Sequence, residues 1–319
     1  MYKEVIDVGR IVCIGELLVD FFTVDQDVAL RNSTAFQKQA GGAPANVCTA
    51  VAKLGGQASF VGKVGADAFG DFLVQILQSY DVDCSMVKRH QEVPTTLAFV
   101  SRRSNGERDF VFYRGADAEF LYEEIDLFRL AQATIVHFGS ATALLDGPLY
   151  DTYCRVADFC QKNRIAISFD PNFRADLWTN HEEQFLQRVE PFLKIADFVK
   201  VSEEELALLG GVEVLQQCSN ATIAVTLGKR GTLLITKEGR VEVASFPMQT
   251  VDTTGAGDAF VGAMLVQLVN NLQPTFQEWQ DMVKFSNVVG GLVCEKVGAM
   301  TALPTREETN YFITKGRKR

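Results

Sequence analysis

The chain has 319 residues, 47% of them hydrophobic and 25 of them glycine, enough apolar material for two domains or one large α/β domain with an insertion. Lys and Arg number 31 against 40 Asp and Glu, a formal net charge of -9, and without the basic tail Lys315–Arg319 the body is more acidic still. Such a body argues against a general nucleic-acid or anionic-membrane binder, and no apolar run approaches the length that crosses a bilayer.

Taken in order, Arg10–Gly15 (RIVCIG) reads as a first buried strand, Pro44–Leu54 as a helix with an apolar inner face, and Ala58–Val61 as the next strand. Phe69–Ser79 is again helical. The rhythm resumes with a strand at 133–138, a helix near 147–163, a strand at 165–169 and a helix near 181–193. A strand at 197–201, a helix at 203–209 and a strand at 221–226 follow. Alternation of short apolar strands with helices predicts a mainly parallel sheet covered on both faces, a three-layer α/β/α core. Leu17–Val24, Thr95–Ser101 and Arg108–Tyr113 break the pattern: they alternate, no helix follows them, and Ser104-Asn105-Gly106 is a hairpin signal. These segments are expected to form a small antiparallel β lid, drawn from about 16–38 and 94–114 and interleaved with a single domain spanning 1–319.

Seven cysteines, an odd number with no Cys-x-x-Cys pair, suggest neither a disulfide framework nor a zinc site. Met1–Asp7 carries acids where a signal peptide needs an apolar core, so a reducing, cytoplasmic location is expected and the Asn-x-Ser/Thr matches at Asn32 and Asn220 are read as chance.

The strongest local signal is Asp252-Thr253-Thr254-Gly255-Ala256-Gly257-Asp258, which runs into a smooth helical segment, 261–269. Three small residues let the backbone turn tightly into a helix and leave first-turn N–H groups facing outward at the positive end of the helix dipole. That is an anion site. Asp258 is then either a first-turn acid of ordinary structural kind or a general base beside an anion hole. The dinucleotide fingerprint does not fit, because Gly262 arrives too late, and Gly56…Gly62-Lys63 has one residue too many for a P-loop.

Gly41-Gly42-Ala43-Pro44-Ala45-Asn46 offers close backbone approach before a proline in the first helical turn, with an amide suited to hydroxyls; the bland alternative is a loop with a surface Asn. Asp20 is an acid inside an apolar run, and Thr226-Leu227-Gly228-Lys229-Arg230-Gly231 is a glycine-rich turn after a strand. His137 falls in an apolar strand and reads as a core histidine; three scattered histidines make no metal site.

Together, the Gly41–Asn46 and Asp252–Asp258 segments resemble the two signature motifs of the PfkB, or ribokinase-like, carbohydrate kinases, and the likeness runs over nearly the whole chain. Within the family it is most similar to bacterial and plant fructokinases, through Gly15–Phe21, Gly62–Gly65, Thr96–Val100, Phe112–Arg114 and Asp170–Arg174. The resemblance implies transfer of the γ-phosphoryl of ATP to the 6-hydroxyl of D-fructose, giving fructose 6-phosphate and ADP. The rivals are a 2-keto-3-deoxygluconate kinase, a ribokinase, a nucleoside kinase, or a sugar-binding protein without catalysis. It also implies Asp258 as the base and Gly255, Ala256 and Gly257 as the anion hole. Asp20, Gly41, Gly42 and Asn46 become sugar ligands, and Arg108 and Arg174 are further candidates at the substrate. Thr226, Gly228, Gly231 and Asn287 fall to the nucleotide. Asp252 and Thr254 are implied at a K⁺ site, and Glu205 at Mg²⁺ through water. Ser202 stands where the family often has Asn, so Ser202 and Glu205 also read as a helix capping box. A homodimer through the lid is a further expectation of the resemblance.

Overall fold

The computed structural model describes residues 9–102 and 110–315. Along the chain, β1 (Arg10–Ile14), β2 (Leu18–Gln26) and β3 (Phe36–Gly41) lead into α1 (Ala43–Lys53), β4 (Gln57–Gly65), α2 (Ala68–Ser79) and β5 (Asp83–His90). Next come β6 (Leu97–Arg102), β7 (Phe110–Tyr113), α3 (Leu127–Leu130), β8 (Ala133–Phe138), α4 (Pro148–Asn163) and β9 (Ala166–Phe169). The middle of the chain adds α5 (Ala175–Trp178), α6 (Glu182–Ile195), β10 (Phe198–Ser202), α7 (Glu203–Leu208), α8 (Val212–Cys218) and β11 (Thr222–Thr226). It closes with β12 (Gly231–Ile235), β13 (Arg240–Ala244), α9 (Ala256–Leu268), α10 (Phe276–Cys294) and α11 (Arg306–Lys315).

Nine strands form the main sheet in the order β13-β12-β11-β10-β9-β8-β1-β4-β5. Pairings from β5 to β11 are parallel; β12 and β13 close one edge antiparallel. Side-chain alternation sends Val12 and Ile14 of β1 to one face, among Tyr153 and Val156 of α4 and Phe185 and Val189 of α6. Ile11 and Cys13 go to the other face, with Val47 of α1, Leu73 of α2, Phe260 and Met264 of α9 and Val283 of α10. α9 is buried on nearly every side because it lies between α1 and α10, which explains its apolar, hardly amphipathic sequence.

The smaller sheet has the order β3-β2-β6-β7. Its two outer pairings are antiparallel and its central pair, β2 with β6, is parallel. β3 carries the chain directly into the Gly41-Gly42 turn. From β1 the main sheet grows toward β4 on one side and β8 on the other, so its crevice opens at the carboxyl ends of these strands, where α/β sheets bind ligands. The smaller sheet stands over this crevice, contributing Asp20, Phe22, Val100, Phe110 and Phe112 to its wall.

Candidate active site

Two cavities meet at the start of α9. The first, about 560 Å³, is walled by the small sheet, by Gly42 and Asn46 of the first glycine turn, by Asn172–Arg174, and by Thr253–Gly255, Gly257 and Asp258. The second, about 460 Å³, is walled by Thr226, Gly228, Gly231, Thr232 and Asn287, an apolar strip of Phe246, Pro247, Met248 and Phe260, and Thr253, Ala256 and Gly257. Thr253 and Gly257 line both. A group held at that turn is therefore reachable from either side.

Gly255 begins α9 as its N-cap in the left-handed region, φ 75°, and a Cβ there would lie 2.5 Å from Ala299 Cβ. The Asp252 carboxylate stiffens the approach: one oxygen accepts Thr254 N (3.0 Å) and Thr254 Oγ1 (2.6 Å), and the other accepts Gly298 N (3.1 Å). One turn in, the Asp258 carboxylate accepts a hydrogen bond from Asn46 Nδ2 at 2.8 Å, bridging the two signature segments across 212 positions of sequence. Burial raises the Asp258 carboxyl above the ordinary aspartate value, while the Asn46 amide and the positive charges of Arg174 and Lys200 hold it down. The remaining amide oxygen, Asn46 Oδ1, is buried and has no partner among the described residues. An acceptor so placed is able to take a donor from a ligand or from water.

The first glycine turn is shaped by what surrounds it. Gly42 adopts φ 105°, and a Cβ on Gly41 would lie 1.9 Å from Asp20 Oδ2. Only a hydrogen there lets the Asp20 carboxylate lie against the turn. Beneath it is Glu16, whose Oε1 accepts Ala43 N (3.1 Å) and Ala141 N (3.3 Å) and whose other oxygen accepts the Ser140 hydroxyl. Burial pushes Glu16 up to about 7. Ser140 and Thr142 continue this network to Asp117, which also accepts from Thr96 at the root of β6.

Glu205 is the acid of a capping box: Oε2 accepts Ser202 N (2.7 Å), Ser202 Oγ accepts Glu205 N (3.1 Å), and Oε1 accepts Phe173 N (2.7 Å). The capping role read from the sequence is realised, with Glu205 buried in the cavity wall. Asn287 also lines the second cavity, but its amide serves the frame: Oδ1 accepts Thr232 Oγ1 (2.6 Å) and Nδ2 donates to Val243 O (3.0 Å). Arg174 is exposed at the rim of the first cavity, its Nη1 donating to Phe173 O (2.9 Å). Arg108 lies outside the described residues. His137 is a buried core residue, with Nδ1 3.0 Å from Ser168 Oγ, and burial drives it down to about 3. No group of three or more His, Cys, Asp or Glu side chains among the described residues is arranged to hold a metal ion.

Lys200 was not singled out by motif reading. It is buried at the floor of the first cavity, with Nζ 3.0 Å from Asp170 Oδ2 and 4.0 Å from Glu205 Oε2. The signal was available, since a lysine inside Phe198-Val199-Lys200-Val201 is a cation in a strand that must be buried.

The fold and these paired cavities define a phosphotransferase-like α/β protein, and the sequence places it in a family: residues 8–306 match the pfkB family carbohydrate kinases, and the chain belongs to that family. Among its relatives is a probable fructokinase-2 of Arabidopsis thaliana, 38% identical over 317 residues, 96% of each chain. A fructokinase from Xylella fastidiosa with bound ATP superposes with a TM-score of 0.84 at 31% identity, covering 96% of this chain and 98% of that one. A fructokinase from Vibrio cholerae, in a form with fructose, ADP and calcium ion bound, gives 0.84 at 29% identity, covering 96% and 99%.

Proposed function

We propose that this protein is an ATP-dependent fructokinase that transfers the γ-phosphoryl of ATP to the 6-hydroxyl of D-fructose. The observation carrying the reading is that the two cavities share Thr253 and Gly257, with the Asp258 carboxylate on the side of the first. Fructose occupies the first cavity. Asp20 and Asn46 take its hydroxyls, Gly41 and Gly42 let it approach the backbone, and Asn46 Oδ1 gains the donor it lacks. Arg174 closes the rim, and Arg108 is proposed as a further substrate contact. Asp258 accepts the proton of the attacking hydroxyl, and the N–H groups of Gly255, Ala256 and Gly257 receive the charge that develops on the transferring phosphoryl. The acid is suited to the task because Asn46 orients one oxygen and leaves the other for the hydroxyl.

ATP lies in the second cavity, its base against the apolar strip and its phosphates along Thr226, Gly228 and Gly231, while Asn287 steadies the wall. Magnesium is carried by the phosphates and water, with Glu205 ordering that water through the lone pairs its two backbone bonds leave free. Asp252 and Thr254 present oxygens beside the anion hole that suit a K⁺ ion, and the fixed loop they form is the support for this assignment. The chain acts as one kinase unit with the small sheet as its lid, which excludes water from the transfer.

The outward face of the lid supports a homodimer. Phe36, Val111 and Tyr113 are exposed there, and the rings of Phe21, Phe36 and Tyr113 gather around Phe99 with centroids 5.1 to 5.9 Å apart. All seven cysteines are free, which is compatible with the reducing, cytoplasmic setting proposed for the chain. The test of the whole reading is ADP release with Mg-ATP and K⁺ over a panel of fructose, ribose, 2-keto-3-deoxygluconate, glucose, mannose and adenosine. A fructose-dominated profile that is lost in Asp258→Asn supports it; a profile dominated by another acceptor overturns the substrate, and an active Asp258→Asn overturns the base.

A further inference from the structure

An ion pair buried in the central sheet is costly, and apolar residues of the same volume often serve stability as well as the pair or better. Lys200 is placed at a second disadvantage, because it lies against the N-terminal end of α9, where the helix dipole disfavours positive charge. Its nearness to that end is direct: a Cβ on Gly257 would be 3.3 Å from Lys200 Nζ. The charged and titratable groups around it come from four elements or their ends: Asp170 after β9, Glu205 on α7, Asp258 on α9, and His137 on β8, which burial keeps neutral. Asp170 and Glu205 hold the ammonium charged. The arrangement thus keeps one fixed cation at the floor of the first cavity, against the turn that joins the two cavities.

We propose that Lys200 is a positioning residue for phosphoryl transfer: clamped by Asp170 and Glu205, its ammonium seats the Gly255–Gly257 turn and adds a fixed positive charge to the end of α9 that receives the transferring group. The proposal rests on the kinase reading above and assigns a role to a residue outside both signature motifs. Its charge is useful chiefly when negative charge gathers at the turn, so its removal slows transfer more than it weakens the binding of either substrate.

The experiment compares wild type, Lys200→Met, and the double variant Asp170→Asn/Lys200→Met in steady-state assays, with urea unfolding of each. The double variant removes Asp170 together with Lys200, so the carboxylate nearest the ammonium is not left buried without its partner, while Glu205 keeps the backbone donors Phe173 N and Ser202 N. We expect kcat to fall at least 100-fold in both, with KM for fructose and for ATP within threefold of wild type, and the double variant to unfold at a urea midpoint near that of wild type. If the double variant regains kcat to within fivefold of wild type, Lys200 is only the counter-ion of Asp170 and the proposal is overturned. A loss confined to KM, or Lys200→Met with unchanged kcat, overturns it equally. Asp258→Asn is measured alongside: activity retained there would sink the base assignment, and turnover of another sugar would sink the fructose assignment, while the Lys200 comparison stays readable with whichever acceptor is used.

Discussion

Replacing Glu16 by Gln tests whether the carboxyl under the first glycine turn takes up a proton on folding. Glu16 is 1% exposed, and burial raises it from 4.5 to about 7. Because the folded value is the higher one, the stability it contributes is fully present below pH 4.5 and is lost as the pH rises through 7. A difference of that size is worth about 3 kcal/mol between pH 8 and pH 4.5, at 1.36 kcal/mol per unit. Glutamine reproduces the protonated form: its oxygen accepts Ala43 N and Ala141 N as Glu16 Oε1 does, and its amide donates to Ser140 Oγ. The Glu16→Gln protein should therefore be more stable than wild type at pH 8 by up to about 3 kcal/mol, with the advantage shrinking toward zero near pH 4.5. Urea unfolding of both proteins at half-unit pH intervals measures this, and other carboxylates, such as Asp67 and Asp83, whose lowered values act in the opposite sense, cancel in the difference. Parallel stability curves over pH 5 to 8 would refute the reasoning, showing that Glu16 is ionised in the folded protein.

Other consequences follow from the same geometry. Gly41→Ala places a Cβ where Asp20 Oδ2 now lies, so it should raise KM for fructose about tenfold or more, the loss of one hydrogen bond to a charged group, without changing KM for ATP. Because burial lifts Asp258 above the ordinary aspartate value, the acid limb of kcat/KM should lie above that value and activity should fall as pH drops through it. Asn46→Ala, which removes the bond favouring the ionised form, should move that limb further up; the pH profiles of both proteins decide. Tyr113→Glu on the outward lid face should shift the mass in solution from dimer to monomer, read by light scattering, while a wild-type protein that is monomeric at all concentrations removes the dimer.

Most of the main sheet was legible because its strands are short apolar runs set in step with helices; the strand at 133–138 and the helix from 148 to 163 fall where the pattern put them. The two signature segments were legible because their small residues answer local needs: a left-handed N-cap at Gly255 and a close approach at Gly41. What the pattern missed depends on partners far along the chain. β12 and β13 add an antiparallel edge whose pairing is set by β11, and β3 became a strand by pairing with β2 despite its largely polar sequence, Phe36-Gln37-Lys38-Gln39-Ala40-Gly41. Lys200, Asp170 and Glu16 are single polar residues at strand interiors or ends. Their roles rest on three-dimensional convergence, and nothing in their own neighbourhood names the group each one faces.

The charge inventory of the first cavity carries the choice among sugars. Its wall includes Asp20, Glu204, Glu205 and Asp258, and Glu16 as a charge only where the pH exceeds about 7, against Arg174 and Lys200 among the described residues. Lys200 is already engaged by Asp170, which leaves the Arg174 guanidinium at the rim as the cation open to a ligand. A neutral ketose presents hydroxyls that carboxylates and the Asn46 amide accept or meet, whereas the carboxylate of 2-keto-3-deoxygluconate would enter a wall of like charge, a juxtaposition that costs several kcal/mol when desolvated. Even one third of such a cost is about tenfold in kcat/KM. Fructose should therefore exceed 2-keto-3-deoxygluconate by at least that factor in direct competition, and the margin should narrow when Asp20 is replaced by Asn, since the substitution removes one repelling charge. Equal kcat/KM for the two acceptors would mean that a further cation closes over the site, and the neutral-sugar reading of the cavity would be wrong.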